Sequence, residues 1–142
     1  MAVTTFQGAL RTYLIADPGI TALIGSRMYE APAPMNLTAA YITVQMGSEE
    51  DYGNLTSGDG VIVEHWSFEI YAKTRDAAET IKTALFDVLN YLTYTVMSGY
   101  KVYFAKRESG SDGFDAAQDG AEDGWHRATQ DYSIKRNIAA TT

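Results

Sequence analysis

The 142-residue chain contains no cysteine, which excludes disulfides, thiolate zinc sites and a cysteine nucleophile. That absence fits folding in a reducing cytoplasm. Only three prolines occur. Pro18 suits the first position of a helix, while Pro32 and Pro34 exclude a helix and a central strand from Arg27 to Pro34, leaving an edge strand or extended connection there. No stretch approaches the ~20 apolar residues of a membrane span, and the amino terminus lacks a basic start followed by an apolar run. A soluble, unprocessed chain with no membrane partner is expected. The N-x-T triplets at Asn36 and Asn54 then read as chance.

Bases are missing where acids are densest. Residues 46–60 hold Glu49, Glu50, Asp51 and Asp59 with no Lys or Arg, and residues 108–124 hold Glu108, Asp112, Asp115, Asp119, Glu122 and Asp123, again with none. Ten of the eighteen acids lie in these two segments, so the net charge of −7 belongs to them and the remainder is close to neutral. Such surfaces argue against nucleic-acid capture by phosphate neutralisation, which needs clustered Lys and Arg.

What is present is a foldable composition, 46% hydrophobic and 12% aromatic. The length fits one domain, 1–142, which would bury roughly 70% of its unfolded surface. Thr4 and Gln7 have capping-box spacing ahead of Phe6, Ala9, Leu10, Tyr13 and Leu14 at helical intervals. Asp17 and Pro18 open a second, short helix with Ile20, Leu23 and Ile24 on one face, closed by Gly25. "YITVQM", 41–46, reads as a strand, followed by an acidic loop. In "VIVEHWSFEIYAK", 61–73, even positions are apolar except Glu64, which is expected near an exposed strand start.

Asp76 and Glu79 begin the main helix, with Ala77, Ile81, Ala84, Leu85, Val88 and Leu92 as its stripe. "KVYFAK", 101–106, and "WHRATQDYSIKRN", 125–137, read as two further strands flanking a loop over 107–124. Loops longer than about 12–15 residues are uncommon unless functional or disordered. The expected fold is α+β: a largely antiparallel sheet of about four to five strands with two main helices and a short one. Tyr71 and Tyr103, with Val61 and Val63, fall on the alternation opposite the core, so that face is either partly exposed or covered by another subunit.

No catalytic constellation emerges. His65 and His126 both fall inside strands without a partner at fixed spacing. Asp112, Asp115, Asp119 and Asp123 lack the spacing of a calcium loop, and the "GSDG" and "GDG" turns lack the lysine or the third glycine of a phosphate-binding loop. No cofactor or metal is expected.

The order of these signals from residue 6 to residue 136 resembles the small tail completion proteins of long-tailed phages, the tail-terminator family that includes the lambda-type terminators. "FQGALRTYLIADPGITALIG", "SRMYEAPAP", "YITVQ", "WSFEIYAKTRDAAETIKTALFDVLN" and "RATQDYSIKR" carry the resemblance. One departure is Ala40, where many relatives have a proline. The resemblance implies a non-enzymatic virion protein, assembled in the host cytoplasm and typically hexameric. Its ring would cap the head-proximal end of the tail tube and meet the tail tube protein and a head completion or connector protein.

DNA would pass through such a ring without specific binding; the acidic loops bearing Glu49, Glu50, Asp51, Asp59, Asp112, Asp115, Asp119, Glu122 and Asp123 would either face the channel and repel it, or bind a partner, or be solubilising loops that stay disordered until a partner orders them. Tyr71 and Tyr103 would then be interface candidates. A stopper or adaptor of the head–tail connector, or a small acidic protein-binding module outside virions, is the alternative.

Overall fold

The computed structural model describes residues 5–30, 34, 37–51, 61–90, 92–115 and 125–137. Helix α1, Phe6–Ile15, is capped by Thr5, whose side chain accepts from the Gly8 amide. The cap is therefore one residue later than the Thr4 reading, because the neighbouring threonine holds the extended backbone a cap needs. Helix α2, Pro18–Ile24, starts from Asp17, which accepts from the Ile20 amide, and ends at Gly25 with φ +60°. The main helix α3, Arg75–Leu89, starts at Thr74, which accepts from Ala77, so Asp76 lies inside its first turn.

Six strands make one sheet: β1 Met28–Glu30, β2 Tyr41–Asp51, β3 Val61–Ala72, β4 Leu92–Met97, β5 Tyr100–Asp115 and β6 Trp125–Asn137. Their spatial order is β1-β2-β3-β6-β5-β4, with β1 parallel to β2 and every other neighbour antiparallel. The α+β class holds, but the sheet is mixed and larger than expected. Three differences account for this.

The Arg27–Pro34 stretch supplies an edge strand. Leu92 leaves the α3 stripe to begin β4, a strand absent from the sequence reading. Finally, β2 and β5 run on into stretches expected to be loop: Ser48–Asp51 pairs with Ile62–His65, and Ser109–Asp115 pairs with Trp125–Asp131. Register shifts at Met46/Ser48 and Arg107/Ser109 let each strand continue after a bulge.

All three helices contribute to one core on one face of the sheet. Phe6, Leu10 and Leu14 of α1, Ile20 and Ile24 of α2, and Ile81, Leu85 and Leu89 of α3 meet Ile42, Val44, Trp66, Phe68, Ile70, Val102, Tyr132 and Ile134. Strand β3 alternates strictly between buried even positions and half-buried odd ones. Glu64 obeys that alternation and is buried, a correction to its expected exposure. Its carboxylate is 2.6 Å from Arg136 Nε, and the guanidinium lies 4.4 Å over the Phe6 ring. The charge is tolerated inside because a partner of opposite sign sits across the β3–β6 ladder.

Candidate interaction surfaces

The acidic segments that dominate the charge pattern are the distal arms of two hairpins. Glu49, Glu50 and Asp51 end β2, with Glu49 exposed, while Asp112 and Asp115 lie on β5, with Asp112 exposed. Asp59, Asp119, Glu122 and Asp123 lie outside the described residues. The two arms point in opposite directions. Val61, where β3 begins, pairs with Asn137, whereas Ala72, where β3 ends, pairs with His126 beside the Asp115/Trp125 pair. The Asp51/Val61 ends of β2 and β3 and the Asp115/Trp125 ends of β5 and β6 therefore sit at opposite poles of the sheet.

The face away from the helices divides into two aromatic ends with a polar middle. At one end Tyr41 stacks on Tyr71 at 4.7 Å between ring centroids, Tyr29 lies 6.2 Å from Tyr41, and the Trp125 ring meets Tyr41 edge-on at 5.2 Å. Lys73 Nζ sits 3.9 Å over the Trp125 ring. The Tyr71 hydroxyl donates to Glu69 Oε2 at 2.7 Å, and burial together with that carboxylate pushes the phenol well above its ordinary range. At the other end Tyr103 contacts Tyr94, which is 85% exposed. The two interface candidates thus share this face but occupy separate clusters.

Between them, His65 Nδ1 and Glu108 Oε2 are 3.1 Å apart, and Ser109 donates to Asp131 at 3.0 Å. These are cross-strand contacts on an open sheet face, where a half-exposed imidazole bonded to a carboxylate serves as a tie between strands. His126 lies on the other side of the molecule. It lines a groove of about 350 Å³ with Arg75, Glu79, Asp112, Gly113 and Arg127, where the start of α3 approaches β5 and β6. Among the described residues no group of three or more His, Asp or Glu side chains is arranged to hold a metal ion.

The sequence reading missed the exposed β4 edge and the Glu64–Arg136 pair. Strand β4 could have been noticed from the alternation Leu92, Tyr94, Val96 against Thr93 and Thr95, although of that set only Leu92 packs on the core while Tyr94 and Val96 are exposed. Nothing local signals Arg136 as the partner of Glu64, since the two are 72 residues apart.

No curated protein matches the chain. Among solved structures, a chain of the virion of a native gene transfer agent (GTA) particle superposes with a TM-score of 0.64 at 19% identity, covering 92% of this chain and 96% of that one. The likeness is one of fold. The family model described as tail completion protein gp17 matches residues 8–135, from the first turn of α1 to the end of β6. The chain belongs to this family of phage tail completion proteins.

Proposed function

We propose that this protein forms a ring, six copies around, that caps the head-proximal end of a phage tail tube, stops its polymerisation and presents the surface on which the filled head docks. The observation that carries this reading is the family match across almost the whole chain. The protein acts by shape and charge, with no catalytic step. Its partners are further copies of itself, the tail tube protein and a head completion or connector protein, and its place is the virion tail after assembly in the host cytoplasm.

The charge distribution supports a role around DNA. Ten of eighteen acids sit on two hairpin arms and their connections. A negative lining would repel the phosphate backbone, so DNA would slide through without the counterion release that drives binding. Because the arms lie at opposite poles, at most one of them lines the DNA path, and the other faces a protein or solvent.

The test is the solution mass by light scattering across a concentration series at low and moderate salt, repeated with tail tubes present. A species of six times the 15.6 kDa chain mass, free or bound at tube ends, is expected. A strict monomer that also ignores tube ends would overturn the reading. Separate deletions of residues 53–59 and 117–123 then identify the arm facing DNA: only that deletion should impair DNA passage while leaving tail length unchanged.

A further inference from the structure

The face away from the helices carries its charges unevenly. Each acid on it whose side chain is described is bonded to a neighbour: Glu69 to the Tyr71 hydroxyl at 2.7 Å, Glu108 to His65 at 3.1 Å and Asp131 to Ser109 at 3.0 Å. Three lysines on the same face, Lys101, Lys106 and Lys135, are exposed and form no ion pair among the described residues. Their placement follows from the register. Lys135 lies between buried Ile134 and Arg136 and pairs with Val63 and Phe104, while Lys106 follows buried Ala105 and pairs with Ser133. Lys101 precedes buried Val102, and its amide donates to the Asn137 side chain at 3.0 Å. The three therefore stand on adjoining strands at the corner where β5 begins and β6 ends.

The two most exposed large hydrophobic side chains among the described residues share that corner: Tyr94 at 85% and Val96 at 62%. Val96 is directly opposite Lys101 on the β4–β5 ladder, and the Tyr94 ring lies edge-on to that of Tyr103, 6.4 Å away. A tight turn through Ser98 and Gly99, at φ +49° and +90°, folds β4 back on β5. Tyr94 itself adopts φ +46°, a left-handed conformation unusual for an aromatic residue. Backbone strain of this kind persists where it positions a side chain for use.

Neither feature alone marks a site. Solvated lysines are ordinary, and so is a single apolar side chain in water. Here like charges that repel one another surround apolar area that water solvates poorly, on a chain whose net charge is −7. An acidic segment bearing an apolar side chain would offset both costs at once.

We propose that this corner, Tyr94 and Val96 ringed by Lys101, Lys106 and Lys135, is the docking surface for an acidic segment of a protein other than this chain. Among the described residues a further copy supplies no free carboxylate from the same face, because those carboxylates are already bonded. Glu49 and Asp112 stand on the helix side, paired with buried Glu64 and Ala128. Copies set edge to edge, or open face to open face, would bring lysine or bonded carboxylate to the corner. Duplex DNA has the right sign, but its phosphates would leave Tyr94 and Val96 in water. The proposal rests on the reading that this chain holds other virion proteins, and names the surface that does so.

The test is fluorescence anisotropy of the full-length protein with a labelled peptide of alternating glutamate and valine. The same peptide with lysine for glutamate and a labelled DNA duplex run beside it. The glutamate peptide should bind and the lysine peptide should not. Lys101→Glu and Lys135→Glu should each weaken binding by about fivefold, and Tyr94→Ser/Val96→Ser, which leaves the charge unchanged, by a similar factor. Lys73→Glu makes the same charge reversal at an exposed position of the opposite pole and should change binding little. Thermal melts confirm that each variant folds.

Equal binding of the two peptides, equal loss from Lys73→Glu, or DNA held by the corner in place of peptide would overturn the proposal. So would corner variants that change the oligomeric state, read by light scattering, without changing peptide binding, since the occupant would then be a second copy. A native protein that forms a ring but ignores the glutamate peptide sinks the corner assignment and leaves the ring reading standing. One that binds the peptide through the corner yet neither oligomerises nor meets tube ends does the reverse.

Discussion

Removing either member of the buried Glu64–Arg136 pair should cost a large share of this protein's stability. Glu64 and Arg136 are 3% and 8% exposed, and Arg136 Nε lies 2.6 Å from Glu64 Oε1. The guanidinium lies against two rings, 4.4 Å from the Phe6 centroid and 5.2 Å from that of Tyr100, and donates once more to the Asn137 carbonyl at 2.7 Å. Glu64→Ala leaves this cation without its carboxylate among rings that cannot replace it. The expected loss is about 3–5 kcal/mol, out of a total that for such domains is about 5–15 kcal/mol.

Arg136→Met strands the carboxylate and should cost a similar amount. The double variant Glu64→Leu/Arg136→Met removes both charges, so it should lie within about 2 kcal/mol of the parent and can exceed it. Urea unfolding followed by tryptophan fluorescence is suited to the measurement, because Trp66 is buried in the same core and contacts Phe6 at 5.9 Å. The double-mutant cycle isolates the coupling, provided the m-values agree. Single-variant losses below about 1 kcal/mol, the scale of an exposed pair, would refute the reasoning by showing that water reaches the site.

Tyr132 is fully buried, its hydroxyl has no hydrogen-bond partner among the described residues, and burial pushes its pKa up to about 12, with Arg107 lowering and Asp87 raising it. A raised folded-state value means that stability is intact below the unfolded pKa of about 10 and falls as pH climbs from there towards 12, by about 1.4 kcal/mol per unit for one group. Tyr71 shifts in the same direction and adds to the loss. Tyr132→Phe should be neutral to slightly stabilising at pH 7 and should flatten the decline in urea midpoint between pH 9.5 and pH 11.5; an unchanged slope would refute this assignment.

Gly110→Ala places a methyl 2.5 Å from Gln130 Nε2, in a side chain that is 1% exposed and tied to the Thr129 carbonyl and Arg107. A net loss of about 1–2 kcal/mol is expected after the gain from replacing glycine, with measurable coupling in Gly110→Ala/Gln130→Ala; additive effects would contradict it. Thr74→Ala removes the α3 cap and should cost about 1 kcal/mol, whereas Thr4→Ala should leave the melting temperature unchanged because Thr5 caps α1.

The parts legible in the sequence were those whose burial follows local period. Strands β3 and β6 were found almost to the residue because alternate positions face the helices all along them, and α2 because Asp17, Pro18 and Gly25 mark both its ends. The continuation of β5 through Ser109–Asp115 was hidden by composition, since Gly110, Asp112 and Gly113 have low strand propensity. Pairing with β6 overrides that weak preference. Strand β4 was hidden because Leu92 lies four residues after Val88 and extends the helical stripe, while Tyr94 and Val96 between its two core-facing ends are exposed.

The family resemblance read from residue order survives, as the match over 8–135 shows. The six-stranded mixed topology depended on pairings that residue types alone do not specify.

The topology also narrows how the acidic arms can be used. Strands run perpendicular to the direction that joins one sheet edge to the other. If copies join edge to edge around a ring, that joining direction follows the circumference, and the strands are left either radial or axial. In the radial case one pole of the sheet faces the bore and the other faces outward, so Glu49–Asp51 and Asp112–Asp115 cannot both line the DNA path. In the axial case each ring face carries one acidic pole, and the bore wall is formed by either the helical layer or the aromatic and polar sheet face. A single negative collar made from Glu49–Asp51 and Asp112–Asp115 is incompatible with either arrangement, because β3 and β6 hold those strand ends a full strand length apart.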